Sequence, residues 1–300
     1  MARIAFIGLG KLGLPMAARL AAAGHRVAGF DRAPERNALA AARGIAAGAD
    51  PAAALADADI VFTSLPDDAA LTAALGPGGA LLAGLPAGAI LADTSTVSPG
   101  ASAAVAATLA GRGIAFLRAP VSGNPVLAEA GTLTALVSGP REAFDAARPA
   151  LATFTRAQVH LGTGEEARFA KLAINLMIAA SAGMMADALV LAEKGGVPWD
   201  AMLDAMADSA AGSPMVKYKV PPLKARDYAS TFSCRQMAKD LDLILGAAAG
   251  AGLTLPYGDL TRRIYGALIA DGRGEVDFIA TVQAAEERAG LADAGRTPGE

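Results

Sequence analysis

Chemistry is suggested first by glycines and one carboxylate. Gly8-Leu9-Gly10-Lys11-Leu12-Gly13 follows the apolar run Arg3–Ile7 and opens the Ala-rich stretch Leu12–Ala23. In such a strand-to-helix junction the first glycine permits a tight turn. The second lets the backbone approach a pyrophosphate, and the third lets helix and strand pack closely. The helix N-terminus then offers free N–H groups to an anion. Asp31 ends the next apolar run, Val27–Phe30, at about the twenty-residue offset where a carboxylate meets a ribose. It would bond both ribose hydroxyls and repel a 2′-phosphate, which favours NAD. Arg32 follows at once and could pair with that phosphate, so NADP stays open. A glycine motif alone is equally a structural turn. Its place after the first strand, with Asp31 downstream, supports dinucleotide binding.

The second chemical candidate is a cation on an apolar helix. Lys171 and Asn175 are four apart and share one helical face, with Arg168 one turn earlier. A lysine whose pKa is lowered by burial or a neighbouring cation can exchange a proton with a reacting oxygen. By composition alone, Lys171 reads as a solvated helix lysine. His25 and His160 have no partner suggesting a metal or a triad, and both read as structural. Cys234 is the single cysteine and has no adjacent His, so neither a nucleophile nor an intrachain disulfide is expected. No spacing of His, Cys and carboxylates suggests zinc.

The elements that must position these residues follow from patterning. Arg3–Ile7, Val27–Phe30, Ile60–Ser64, Ala89–Asp93 and Ile114–Leu117 read as strands alternating with helices such as Leu12–Ala23 and Ala101–Gly111. That alternation predicts a parallel sheet covered on both faces, extended by Leu133–Ser138 and Ala157–Leu161. From about Gly164 strand patterns stop. Glu165 to Lys194 reads as one long helix ended by Gly195-Gly196, apolar on most of its surface and so expected to be buried nearly all round, against its own domain and a second subunit. Pro221-Pro222 and Gly250–Pro256 are expected to break the remainder into further helices. The tail from Asp293 to Glu300 is polar and expected to fray. Two domains are expected, 1–164 and 165–300.

The 300 residues are 53% apolar and 18% charged, with net charge −3. This excludes disorder and disfavours a nucleic-acid partner. The apolar start, Ile4 to Leu9, reads as strand and turn, not as a secretory signal. The longest apolar stretch, Leu172 to Ala186, is shorter than the roughly 18 residues of a membrane span and contains Asn175 and Ser181. No membrane association is expected, and a reducing, cytoplasmic setting fits one cysteine.

Gly8 to Ala17 resembles the signature of the β-hydroxyacid dehydrogenases, a family that includes 3-hydroxyisobutyrate dehydrogenase, tartronate semialdehyde reductase and related imine reductases. Further segments match in order. Asp93-Thr94-Ser95-Thr96-Val97-Ser98-Pro99 resembles the family's DxSTxSP segment. Ala119-Pro120-Val121-Ser122-Gly123, continued by Gly131-Thr132-Leu133, resembles its substrate loop. Lys171 to Asn175 resembles its catalytic helix, and Phe232 with Lys239-Asp240-Leu241 resembles its KDL segment. The sequence departs from the pattern at Leu12, where Met is usual, at Asn124-Pro125, where the loop usually reads SGG, and at Ile174, where the first Asn of KxxNN is usual. The family's GxGxxxK spacing from Gly162-Thr163-Gly164 falls on Arg168, whereas the KxxNN frame falls on Lys171. The downstream helix aligns only in the second frame, which selects Lys171.

The resemblance implies an α/β Rossmann N-terminal domain and an all-α C-terminal domain joined by a long helix, in a homodimer or homotetramer. It implies that Leu65-Pro66-Asp67 lies by the cofactor and that Lys239 reaches cofactor or substrate. Thr96 is expected near the nicotinamide, Lys171 as acid/base, and Asn175 on the reacting oxygen. The backbone N–H groups of Ser122 and Gly123 would cradle a substrate carboxylate, with Asn124 adding an amide. The expected activity is hydride transfer between NAD (NADP possible) and a small hydroxy acid. Two alternatives stand beside it. An imine reductase is disfavoured by Lys171 and Asp31, because related imine reductases carry Asp or Tyr for the lysine and tend to prefer NADP. A non-catalytic dinucleotide sensor is disfavoured by Lys171, Asn175 and Lys239 together.

Overall fold

Nine short strands and eight helices account for the first half of the chain in the computed structural model, which describes residues 1–291. In chain order they are β1 (Arg3–Ile7), α1 (Gly13–Ala22), β2 (Arg26–Phe30), α2 (Pro34–Ala41), β3 (Ala46–Gly48), α3 (Pro51–Leu55), β4 (Ile60–Thr63), α4 (Asp68–Leu75), β5 (Ile90–Asp93), α5 (Pro99–Ala110), β6 (Ala115–Arg118), β7 (Val121–Ser122), α6 (Pro125–Glu129), β8 (Leu133–Ser138), α7 (Arg141–Leu151), β9 (Thr155–Gly162) and α8 (Glu166–Lys194). The chain forms two compact units, Met1–Leu172 and Ala173–Glu300. The first two turns of α8 therefore belong with the sheet, because buried polar contacts tie them there.

In the first unit the strand order is β3-β2-β1-β4-β5-β6-β8-β7, with β9 beside β8. Strands β3 to β6 are mutually parallel, as the strand–helix alternation predicts. The extension is not parallel to them: β8 runs antiparallel to β6, and β9 runs parallel to β8. The loop through β7 makes that reversal, and β7 itself, two residues long, leaves too little pattern to read. Apolar side chains on both faces of the central strands build two cores. One holds Ile4, Phe6, Phe62, Leu117 and Phe154, and the other holds Ile7, Val61, Leu91 and Phe116. Phe62 packs edge-on against Phe154 and stacks on Phe6. Burial on both faces explains why these strands are nearly continuous apolar runs.

The second unit is helical: the rest of α8, then α9 (Trp199–Asp208), α10 (Pro214–Lys224), α11 (Cys234–Gly250), α12 (Pro256–Ala270) and α13 (Thr281–Arg288). Gly250–Pro256 separates α11 from α12 as expected. Pro221-Pro222 does not break a helix. Both prolines lie in the last turns of α10, and their carbonyls accept from Ala225 N and Asp227 N as it ends. The next residue, Arg226, adopts φ +53°, held by stacking of its guanidinium 3.7 Å from the Trp199 ring and a 2.5 Å bond to Glu286. Inside the unit, Asp277 accepts from Lys219 Nζ at 2.6 Å and from Thr231, so this buried pair is fully partnered.

Helix α8 is not buried all round. Met177, Met184 and Leu191, seven residues apart, are 68%, 61% and 76% exposed. By length and composition α8 could also cross a membrane, which the count of uninterrupted apolar residues missed. Its first turns, however, carry buried charged and polar side chains that bond to the sheet. The tail from Asp293 to Glu300 lies outside the described residues.

Candidate active site

At the carboxyl end of β1, Gly8 turns with φ +92°, and a Cβ there would lie 2.2 Å from Ser64 O. Gly13 begins α1 so close to the turn that a Cβ would lie 1.9 Å from Gly8 O. Gly10 differs: no atom lies within 4 Å of its would-be Cβ. Helix α1 has no side-chain cap and no acidic residue in its first turn. An uncapped N-terminus beside an open glycine is what a pyrophosphate needs, so the residues present fit a dinucleotide.

Asp31 stands beside this loop. Its Oδ2 accepts Leu9 N at 2.7 Å and its Oδ1 accepts Ala33 N at 2.9 Å. Asn37 grips the main chain of Asp31 by a pair of 2.8 Å bonds. The carboxylate is therefore preset, and each oxygen keeps a lone pair for a ribose hydroxyl. Arg32, next to it, is exposed.

The adjacent strand ends are linked through a buried carboxylate. Asp93 Oδ1 accepts Thr63 Oγ1 at 2.5 Å and Ser95 Oγ at 2.6 Å, and Ser95 Oγ accepts Leu65 N at 2.8 Å. Asp93 Oδ2 pairs with Arg168 Nη2 at 2.6 Å, both side chains having no exposure. Asp67 caps α4 through Ala70 N, and Asp68 accepts Ser98 N at 2.7 Å. Thus the carboxylate of Asp67 is partly spent on its helix, while Leu65 and Pro66 edge the loop. Thr96 lies half-buried in the loop between Ser95 and Ser98, and Ser98 caps α5.

Ser122 and Gly123 close β7. Gly123 has φ +137°, and a Cβ there would meet Leu133 Cδ2 at 2.5 Å. Asn124 Oδ1 accepts Leu127 N at 3.0 Å and so caps α6; that oxygen serves the helix, and only Nδ2 is left to donate to a ligand. The departure from SGG is thereby explained, since Asn124-Pro125 is an N-cap followed by a good first helical residue.

Lys171 lies on α8, 7% exposed, one turn beyond Arg168. The charge of Arg168 is compensated by Asp93, so Arg168 is not a free cation acting on Lys171. Its guanidinium also donates to Ser95 O at 2.8 Å and Ser102 Oγ at 3.1 Å. Two further anchors hold the same turn. Arg118 pairs with Glu165, and Ser138 Oγ bonds Gly164 O at 2.7 Å and accepts Ala167 N at 3.2 Å.

In the helical unit, Asn175 is buried and donates from Nδ2 to Asp240 Oδ2 at 2.6 Å. Lys239 Nζ lies 2.7 Å from Asp240 Oδ1. Asp240 therefore fixes which way the Asn175 amide faces, a role its sequence position did not disclose. His25 Nδ1 accepts Ala2 N, and His160 Nε2 contacts Gly139 O while stacking on Phe144, both structural as expected. Cys234 is buried, its thiol pushed up to about 12 by burial.

A parallel sheet with an open glycine loop, a preset carboxylate at the second strand and a buried lysine on the following long helix defines a nicotinamide-dinucleotide oxidoreductase of Rossmann type. Comparison with known proteins narrows this. Residues 3–162 match the model for the NAD binding domain of 6-phosphogluconate dehydrogenase, and residues 164–285 match that for the NAD-binding domain of NADP-dependent 3-hydroxyisobutyrate dehydrogenase. A probable 3-hydroxyisobutyrate dehydrogenase of Mycobacterium tuberculosis is 34% identical, covering 96% of this chain and 99% of its own. A structure of 3-hydroxyisobutyrate dehydrogenase from that organism with L-serine superposes with TM-score 0.84 at 33% identity, covering 95% and 99% of the two chains. An imine reductase from Pseudomonas sp., at 20% identity and TM-score 0.61 over 94% and 99%, shares the fold alone. The chain belongs to the β-hydroxyacid dehydrogenase family.

Proposed function

We propose that this chain interconverts a small β-hydroxy acid, of the 3-hydroxyisobutyrate type, and its semialdehyde, using NAD in preference to NADP. The observation that carries the reading is Lys171: a lysine buried to 7% exposure, one turn beyond a helix start anchored to the sheet by three separate polar contacts. When bound, the nicotinamide accepts or returns the hydride. The chain must handle the proton. In the oxidative direction Lys171 Nζ takes the hydroxyl proton as the C–H electron pair leaves with its hydrogen, and in reduction it returns that proton to the oxygen. Asn175, one turn on, donates to the same oxygen, its amide orientation set by Asp240. Ser122 and Gly123 hold the carboxylate through backbone N–H groups, with Asn124 Nδ2 as a further donor. Gly8 to Gly13, Asp31, Leu65 to Asp67 and Thr96 hold the cofactor in this reading, and Lys239 is assigned to it as well. Arg32 is the residue that would let NADP bind. In this reading 1–164 serves the cofactor, and 165–300 serves substrate and assembly.

The test is initial rates with NAD and NADP on 3-hydroxyisobutyrate, D-glycerate, 4-hydroxybutyrate and L-serine, for wild type, Lys171→Ala and Lys171→Arg. Arginine keeps the charge but does not release a proton at neutral pH. Both variants should lose about 100-fold or more in kcat with NAD affinity unchanged, the size of a lost general acid/base. Activity near wild type in Lys171→Arg would refute the role.

The exposed row Met177, Met184 and Leu191 supports a homodimer or homotetramer with α8 at the interface, and the single cysteine supports a reducing, cytoplasmic setting. Light scattering should give a multiple of 29.9 kDa, reduced to one chain by Met177→Glu/Met184→Glu. A wild-type monomer would end that reading.

A further inference from the structure

We propose that Arg168 and Asp93 are positioning residues that set the rotation of α8, and thereby the place of the Lys171 amine. This rests on the acid/base role given to Lys171. Arg168 is the largest fully buried side chain of the first unit. Arginine is rarely buried so completely, and here its guanidinium is gripped from three directions: Asp93 Oδ2 at 2.6 Å, Ser95 O at 2.8 Å and Ser102 Oγ at 3.1 Å. A planar fork bonded on three sides cannot swivel, and a single ammonium could not reproduce those directions. The other oxygen of Asp93 takes the hydroxyls of Thr63 and Ser95, and Ser95 in turn holds Leu65 N. One network thus joins the ends of β4 and β5, the loops bearing Leu65 and Thr96, α5, and the first turn of α8.

The other anchors act differently. Arg118–Glu165 and Ser138 grip the residues at the helix start, fixing where α8 begins. Arg168 reaches inward from within the helix, so it resists roll about the helix axis. Lys171, three residues on, sits on the next turn. A side chain whose tip is roughly 6 Å from the axis moves about 1 Å for a 10° roll. A misplacement of that size costs about 100-fold in rate when it separates a proton acceptor from its donor. The spacing that places a cation at residue 168 therefore serves geometry, and the proton chemistry falls to residue 171.

The experiment compares Arg168→Lys, the neutral double variant Arg168→Met/Asp93→Asn, Lys171→Ala, and Arg168→Lys combined with Lys171→Ala. The neutral double variant leaves no orphan buried charge, so it stays folded where Arg168→Met alone would strand Asp93. Each is assayed at 25 °C for folding by thermal melt, for NAD affinity by nucleotide fluorescence, and for kcat on 3-hydroxyisobutyrate with and without deuterium at the carbinol carbon. In both Arg168 variants kcat should fall about 30- to 100-fold, with NAD affinity within about threefold of wild type, and the isotope effect on kcat should rise as chemistry becomes limiting. Added to Lys171→Ala, Arg168→Lys should lower the residual rate by less than about twofold, because it acts through a lysine already gone. A kcat per folded molecule and an isotope effect both equal to wild type would overturn the proposal, as would an additive loss in the combined variant or a parallel loss of NAD affinity. If Lys171→Ala itself retains the rate, the acid/base reading fails first. If it loses the rate while both Arg168 variants keep theirs, only the positioning role fails.

Discussion

Replacing Gly10 and Gly13 separately by alanine should damage two different properties. At Gly13 the new methyl carbon would lie 1.9 Å from Gly8 O, 3.0 Å from Gly8 C and 3.1 Å from Phe6 Cε1. The first contact must open by more than 1 Å to reach ordinary separation, and the obstacle is backbone that cannot rotate away. Helix α1 must lift from β1, loosening Leu14, Met16, Ala17 and Leu20 from their core. Overpacking of this kind costs about 3 kcal/mol, offset by about 1 kcal/mol of helix propensity gained over glycine. A net loss of about 2 kcal/mol lowers Tm by about 4–8 °C for a unit of this size. At Gly10 nothing lies within 4 Å, so alanine should leave Tm unchanged or slightly raised. Its methyl, however, fills the approach to the pyrophosphate, so NAD affinity should fall about tenfold or more, equivalent to about 1.4 kcal/mol. Differential scanning fluorimetry without cofactor and NAD titration by fluorescence separate the two. Unchanged Tm in Gly13→Ala would refute the close helix–strand contact. Wild-type NAD affinity in Gly10→Ala would refute the loop as the pyrophosphate site.

The remaining predictions concern charge and protonation. Asp31→Asn removes the negative charge facing a 2′-phosphate and, having a single acceptor oxygen, keeps only one of the bonds from Leu9 N and Ala33 N. The ratio of kcat/KM for NAD over NADP should fall about tenfold or more, and an unchanged ratio would move specificity elsewhere. Cys234, pushed up to about 12 by burial, should stay a thiol and ignore Ellman's reagent at pH 8 in the native protein, releasing one equivalent only on unfolding. Because its folded value lies above the unfolded one, it adds stability below about pH 9 that is lost as pH rises toward 12. Denaturant midpoints for Cys234→Ala and wild type should therefore converge over that range, and a constant gap would contradict it. Asp59 is held down to about 2 by hydrogen bonds from Arg3, so its contribution, small at this exposed site, is present above about pH 4 and lost as pH falls toward 2. Asp59→Asn should leave the neutral-pH melting temperature nearly unchanged.

What could be read from the sequence followed from strong local rules. Strand β1 carries the residues expected of it, because a four-residue apolar run before a glycine turn has few alternatives. The turn at Gly8 was legible for the same reason: glycine permits the positive φ that a tight turn after a strand needs. The same locality explains the misreadings. The cap that Asn124 gives α6 went unread because it depends on a five-residue helix too short to announce itself by period, which leaves Asn124 Nδ2 for the proposed ligand. Pro221-Pro222 looked like a break because the rule against proline is stated for helix interiors, whereas these two lie in closing turns.

The features that no local pattern could reveal are the pairs that span the chain. Arg168 meets Asp93 across 75 residues, and Asn175 meets Asp240 across 65. In sequence, Arg168 competes with Lys171 for a single role, since both are cations near one helix start. Asp93 neutralises Arg168 with no solvent contact, which supports assigning the proton to Lys171. A guanidinium holding three partners in a dry site is committed to those partners. The lysine beyond it has only to be held still. Asn175 obeys the same logic in the helical unit, where Asp240 spends one oxygen on turning an amide. In the proposed mechanism a carboxylate deep in each unit acts on geometry, and a single amine exchanges the proton. That division predicts that Asp240→Asn, and Asp93→Asn paired with Arg168→Met, alter rate more than cofactor affinity, although neither carboxylate is assigned a contact with substrate.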